Sequence, residues 1–172
     1  MRKLPYLFVS SVLLVASGLA ICGTALTDRS VRTLVDANEE SIRLDQFDQS
    51  NAFISDDCTA RNVMMKEDGS KDDKTQSCRQ ATEEGRKVIG EVNASGTTHT
   101  YASTVTSIVI EGAKATAQLH VVYKLARGEH RTEIDTDEVE TVQLRNGKPL
   151  ITAVVETQTA AVVDGRRISA KK

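Results

Sequence analysis

The sequence predicts an α+β fold in which N-terminal helices pack on a curved four-stranded antiparallel meander, and three observations predict it. Apolar residues recur at helical spacing in two early segments. At Thr97 the apolar period changes from about 3.6 to about 2 residues, and the chain turns rich in Thr and Val. The later segments are joined by connections too short for a parallel crossover, so the neighbours must run antiparallel.

Each element has its own signal. Asp28 can cap a helix over residues 28–44, whose apolar positions are Val31, Leu34, Val35, Ile42 and Leu44. Residues 45–53 predict a second, shorter helical piece. A short strand is expected around residues 62–65, followed by a polar turn over residues 67–74. Ser77 and Gln80 have the spacing of a capping box and open a third helix, with Ala81, Gly85, Val88, Ile89 and Val92 on one face and residues 93–96 ending it. The clearest strand covers residues 113–125. Ala113, Ala115, Ala117, Leu119, Val121, Tyr123 and Leu125 share its apolar face, and Lys114, Thr116, Gln118, His120, Val122 and Lys124 share the wetter one. Glu111-Gly112 joins it to the strand before, residues 127–130 to the strand after, and Asn146-Gly147 makes a type I′ turn into the last strand.

Before these elements, Arg2 and Lys3 precede an apolar run from Leu4 to Cys22, which reads as an export segment. Three versions of it stand open. Gly23, Thr24 and Ala25 suit ordinary cleavage, giving a mature start near Leu26. Leu19-Ala20-Ile21-Cys22 is similar to the lipobox of bacterial lipoproteins, with Cys22 as the lipidated residue and the bulky Ile21 where that pattern has a small one. The run is also long enough, at about 1.5 Å per residue, to cross about 30 Å of hydrocarbon as an uncleaved anchor. The organisation expected is therefore a signal peptide or membrane anchor over 1–25, one domain over 26–163 and a basic flexible tail over 164–172. The location expected is the bacterial periplasm or cell envelope, with membrane attachment through the N-terminal segment if that segment is retained.

Removing Arg2 and Lys3 from the 22 basic residues leaves 20 against 24 acidic ones, a formal charge of −4, which argues against a nucleic-acid partner. About 147 residues then remain, enough for a single hydrophobic core. In an oxidising compartment Cys58 and Cys78 can form a disulfide closing a loop of about 20 residues. Cys78 in the first turn of the third helix could instead be a reactive thiol.

Helix, short helix, strand, helix and four strands form the element order. With the Ile110-Glu111-Gly112-Ala113-Lys114-Ala115 hairpin and the Asn146-Gly147 turn leading into Pro149-Leu150-Ile151-Thr152, this order resembles the nuclear transport factor 2-like superfamily, which includes the SnoaL-like cyclases. The resemblance covers residues 27–160. It implies a sheet closed by helices into a cone around an apolar cavity, and often a homodimer across the open sheet face. Members include isomerases, cyclases, dehydratases and hydrolases, and also catalytically silent adaptors, so the fold by itself does not choose a function.

A catalytic cone needs titratable groups inside it, as in ketosteroid isomerase. The helix over 28–44 has no tyrosine, and Asp56 and Asp57 sit beside Cys58, so no catalytic residue is assigned. Tyr101 and Tyr123 are the candidate cavity residues, each able to donate a hydrogen bond to a ligand. His99, His120 and His130, spaced by 21 and 10, match no metal-ligand motif and read as surface residues. Glu129, Glu133, Asp135, Asp137, Glu138 and Glu140 form an acidic stretch. Glu133, Asp135 and Asp137 on one strand face could hold calcium, but they read better as charges protecting an edge strand. No metal or other cofactor is expected. The function expected is a non-catalytic exported binding or interaction module, with a homodimer or protein partner on the face carrying Thr116, Gln118, His120 and Val122. The alternative is a small-molecule binding protein or a cyclase- or isomerase-type enzyme using the cone.

Overall fold

A computed structural model of the chain describes residues 25–66 and 70–169. The export segment, with the lipidation expected at Cys22, lies outside the described residues, as does the end of the basic tail. Among the described residues three helices, α1 (Asp28–Arg43), α2 (Phe47–Ser50) and α3 (Cys78–Ala94), accompany seven strands: β1 (Ile54–Met65), β2 (Lys71–Ser77), β3 (Thr98–Glu111), β4 (Lys114–Arg127), β5 (His130–Arg145), β6 (Lys148–Val163) and β7 (Arg166–Ser169). One sheet holds them all in the order β2-β1-β6-β5-β4-β3, with β7 paired to β6.

Helix boundaries follow local chemistry. Thr27, one residue before Asp28, is the N-cap of α1 and closes a capping box with Ser30. The Ser77–Gln80 capping box opens α3 as its spacing predicts, placing Cys78 at the first helical position. Ile89 on α3 is buried, whereas Val88 is 55% exposed and leaves the expected apolar face.

The sheet has seven strands where four were expected, and the reasons are local. β1 reaches back to Ile54, through a run containing Asp56, Asp57 and Arg61 that breaks the apolar alternation. Residues 71–74, read as turn, belong to β2, a charged edge strand exposed along most of its length and therefore without an alternating signal. Backbone pairing to β1 from Thr59↔Ser77 to Met65↔Lys71 holds it. Arg166–Ser169, in the segment read as a basic tail, pairs with Ala160–Val163 of β6 as β7. The acidic β5 lies between β4 and β6, so the edge-strand explanation of its charges is corrected.

Threonines sit at three points where the ladders slip by one residue. Thr106 on β3 and Thr152 and Thr159 on β6 fall where the pairing skips a position. Their Oγ1 atoms donate to the carbonyls of Gln118, Thr141 and Asp135 on the facing strands, at 3.0, 3.3 and 3.2 Å. Each hydroxyl thus gives a partner to a carbonyl where the ladder is interrupted, and such bulges increase the local twist and bend of a sheet.

At the β5–β6 turn Asn146 and Gly147 both have positive φ, 53° and 76°, as a type I′ turn requires. Cys58 on β1 and Cys78 at the start of α3 form a disulfide, with Cα atoms 5.4 Å apart. The core joins Val31, Leu34 and Val35 of α1 to Ala115, Ala117, Leu119 and Val121 of β4, Val142 of β5 and Ile151 of β6.

Candidate functional site

The helix-covered face of the sheet is apolar at one end and acidic in the middle. On β5 the inward positions are even-numbered, so Glu138 and Glu140 lie in phase with Ile134 and Val142. Glu138 faces Leu119 on β4 and Glu156 on β6; Glu140 faces Ala117 and Val154. The small Ala117 leaves room for the Glu140 side chain. From above, α1 contributes Asn38 and Glu39, which continue the buried face of Val31, Leu34 and Val35. Glu39, Glu138 and Glu140 are 4%, 5% and 0% exposed, and Glu156 is partly buried. One ligand oxygen each of Glu39, Glu138 and Glu140 can be chosen so that all lie within 4.8 Å of one another.

Neutral hydrogen-bonding groups hold this set. Ser50 Oγ on α2 donates to Asn38 Oδ1 at 2.8 Å, and Asn38 Nδ2 donates to Glu140 Oε1 at 3.0 Å. Tyr101 donates its hydroxyl to Glu39 Oε2 in a short hydrogen bond, and its ring meets Tyr123 edge-on with centroids 4.8 Å apart. Glu138 and Glu156 are paired across the β5–β6 ladder, and their carboxyls act on each other, raising Glu138 and lowering Glu156. Glu39 Oε1 and Glu140 Oε2 are buried and accept no hydrogen bond; the Ser103 hydroxyl acts on the Glu39 carboxyl without bonding geometry to Oε1. Among the described residues, no Lys, Arg or His forms an ion pair with any of the four glutamates.

Burial without a counter-charge controls the protonation of this group. Loss of hydration pushes the Glu138 and Glu140 carboxyls well above the ordinary carboxylate range, and the neighbouring Glu39 and Glu156 push further the same way. Glu39 and Glu156 are raised for the same leading reason, opposed at Glu39 by the Tyr101 and Ser103 hydroxyls and at Glu156 by Glu138. Burial also pushes the phenols of Tyr101 and Tyr123 upward, so both remain hydroxyl donors at neutral pH. The interior gathers four carboxyl groups that lack a basic partner among the described residues. It is suited to a ligand that brings protons or positive charge.

Both sequence-named tyrosines point inward and meet each other, and Tyr101 reaches Glu39 of the acidic group. His99, His120 and His130 lie apart and pair with Asp45, with Asp135 and Asp137, and with Asp164 respectively. Glu133, Asp135 and Asp137 share the outer face of β5. The buried site takes the other phase of the same acidic stretch. Glu39, Glu138, Glu140 and Glu156 were not singled out from sequence, although one signal was present: Glu138 and Glu140 interrupt an apolar alternation in phase, and Glu39 lies four residues after Val35 and three before Ile42. A cleft of about 440 Å³ lies elsewhere, at the end of the sheet, lined by Thr98, Thr100, Lys124, Arg131, Glu133 and Val162 among others.

No protein-family model and no curated protein matches the chain. Solved structures do. A hexachlorocyclohexane dehydrochlorinase, LinA-type3, from Novosphingobium barchaimii superimposes with a TM-score of 0.60 at 11% identity, over 78% of this chain and 88% of that one. An NTF2-like protein with a cystatin-like fold from Novosphingobium aromaticivorans gives 0.58 at 14% identity, covering 76% and 80%. A ketosteroid isomerase-like protein from Erwinia carotovora gives 0.53 at 10%, covering 76% and 94%. The chain has the nuclear transport factor 2-like fold. At such identities the likeness establishes the fold alone, and within that fold this chain places its acidic group between α1 and strands β5 and β6.

Proposed function

We propose that this nuclear transport factor 2-like protein is an exported ligand-binding protein whose cone interior engages a small ligand carrying hydrogen-bond donors or positive charge. One observation carries the reading. Glu39, Glu138, Glu140 and Glu156 are gathered inside the fold with no basic side chain paired to them among the described residues, and two of their buried oxygens lack any hydrogen-bond partner. Ionising such groups without compensation would cost several kcal/mol per charge, and a bound cation or hydrogen-bond donor would supply the compensation the fold lacks. Proton exchange between a ligand and Tyr101 or the glutamates would extend this binding site toward the isomerase-type chemistry named for one of the matched structures. Export is supported by the Cys58–Cys78 disulfide, which suits an oxidising compartment. A homodimer through the outer face of Thr116, Gln118, His120 and Val122 is compatible with binding inside the cone.

Native mass spectrometry of full-length gene product purified from the envelope of a Gram-negative host, with thiol alkylation in parallel, tests the reading. The expected result is a mature chain with Cys58 and Cys78 unavailable to alkylation, carrying an additional non-covalent mass that E140Q loses. A chain that is always empty, and whose melting temperature no added cation or polar small molecule changes, overturns it.

A further inference from the structure

We infer that Glu39, Glu138 and Glu140 form a site for a single hard divalent cation, which calcium fits; this names the ligand and rests on the interior-binding reading above. Two independent features meet here. The first is geometric. Two oxygens bound to one calcium ion at about 2.4 Å can be no more than about 4.8 Å apart, and one ligand oxygen from each of the three glutamates satisfies that limit pairwise. The second feature is the pair of buried oxygens with unused lone pairs, Glu39 Oε1 and Glu140 Oε2. A side chain that is 0% exposed and holds one oxygen by Asn38 while the other has no partner is a ligand arm already fixed in orientation.

The donor set also selects the type of ion. Carboxylate oxygens with no cysteine and no histidine among them suit calcium, magnesium or manganese and are poor for zinc or copper. Three carboxylates against a charge of +2 leave the centre at −1, far less than the cluster would carry ionised and empty. Asn38 and Tyr101 act as positioning residues, since each holds one oxygen of a ligand carboxylate and leaves the other free. The site lies on the opposite face of β5 from Glu133, Asp135 and Asp137, the calcium possibility raised by the sequence.

The full chain, stripped with EDTA and incubated overnight with calcium chloride because the ligands are buried, provides the test. Native mass spectrometry should show one calcium per chain, and the melting temperature should rise. Replacing an outer-shell partner of a metal typically costs 10–100-fold in affinity, so E140Q and E39Q, which remove a ligand charge, should each weaken binding by at least about tenfold. D137N, on the outer face of the same strand, should leave binding unchanged. Terbium luminescence gives a readout that needs no variant. The chain has no Trp, and Tyr101 adjoins the site, so terbium should be sensitised through tyrosine and displaced by calcium. Wild-type protein with neither a calcium adduct nor terbium emission overturns the cation site, as does E140Q that folds and binds calcium normally. A copurifying organic mass without calcium overturns the cation assignment and leaves the interior-binding reading standing. An empty chain that responds to neither calcium nor any polar small molecule overturns both.

Discussion

Asn38 on α1 and Glu140 on β5 are 102 residues apart in sequence and joined inside the fold by a 3.0 Å hydrogen bond from Nδ2 to Oε1. Through Ser50, which donates to Asn38 Oδ1, this bond also ties α2 to the sheet. Both Asn38 atoms are used, and neither can be removed without leaving a buried polar group unpaired.

Asn38→Leu should therefore destabilise the protein by about 2–3 kcal/mol, because Glu140 Oε1 and Ser50 Oγ both lose their partner. Urea unfolding measures the loss. Adding Glu140→Met should recover part of it, since removing both members of a buried polar pair costs less than removing one. Equal stability of the single and double variants would show that the bond is not coupled.

The buried glutamates predict an unusual pH dependence in calcium-free buffer. Folding raises the pKa of Glu138 and Glu140, so the folded state binds their protons more tightly than the unfolded chain does. Stability from these groups is fully present below the ordinary glutamate range and is lost as pH rises through their raised folded values. Melting temperature should fall from mildly acidic pH toward neutrality, and E138Q and E140Q should each flatten that slope. A wild-type profile that rises over the same window contradicts the protonation assigned here.

Tyr101→Phe removes the donor to Glu39 Oε2 while retaining the ring against Tyr123. The expected cost is about 1–3 kcal/mol, the penalty for an unsatisfied buried acceptor, and it should grow as pH rises, because the Tyr101 hydrogen bond favours the ionised Glu39 carboxyl. Denaturant titrations at acidic and neutral pH check the difference. A loss independent of pH would mean that the hydroxyl does not act on the Glu39 charge.

The Cys58–Cys78 bond closes a loop of separation 20, for which chain entropy gives about 3 kcal/mol. Cys58→Ser and Cys78→Ser should each lower the melting temperature and leave calcium affinity unchanged, because the bond joins β1 to α3 and touches none of the four glutamates. Unchanged melting temperatures would remove its structural role.

How much of this was legible in advance differs by element. β4 was read within about two residues because one face is wet and the other dry, and the Ser77–Gln80 box and Asn146-Gly147 turn are local chemistry written in neighbouring residues. β2 was missed because an edge strand is held by backbone bonds to β1 and carries no side-chain period. The acidic stretch of β5 was seen as a stretch, but its explanation depended on an edge position that the strand does not occupy.

By itself, the sequence determined the two-part layout of helices then meander, the turns that set the antiparallel register, the two cysteines able to pair and the inward phase of Tyr123. These follow from period, spacing and backbone preference, which act over a few residues. Only the tertiary structure decided that Glu39, Glu138, Glu140 and Glu156 share one interior volume. A glutamate at an inward position resembles any surface glutamate until the partner strands and the covering helix are known. Its burial, its missing counter-charge and its unpaired oxygens are properties of four chain segments brought together, so no single segment contains them.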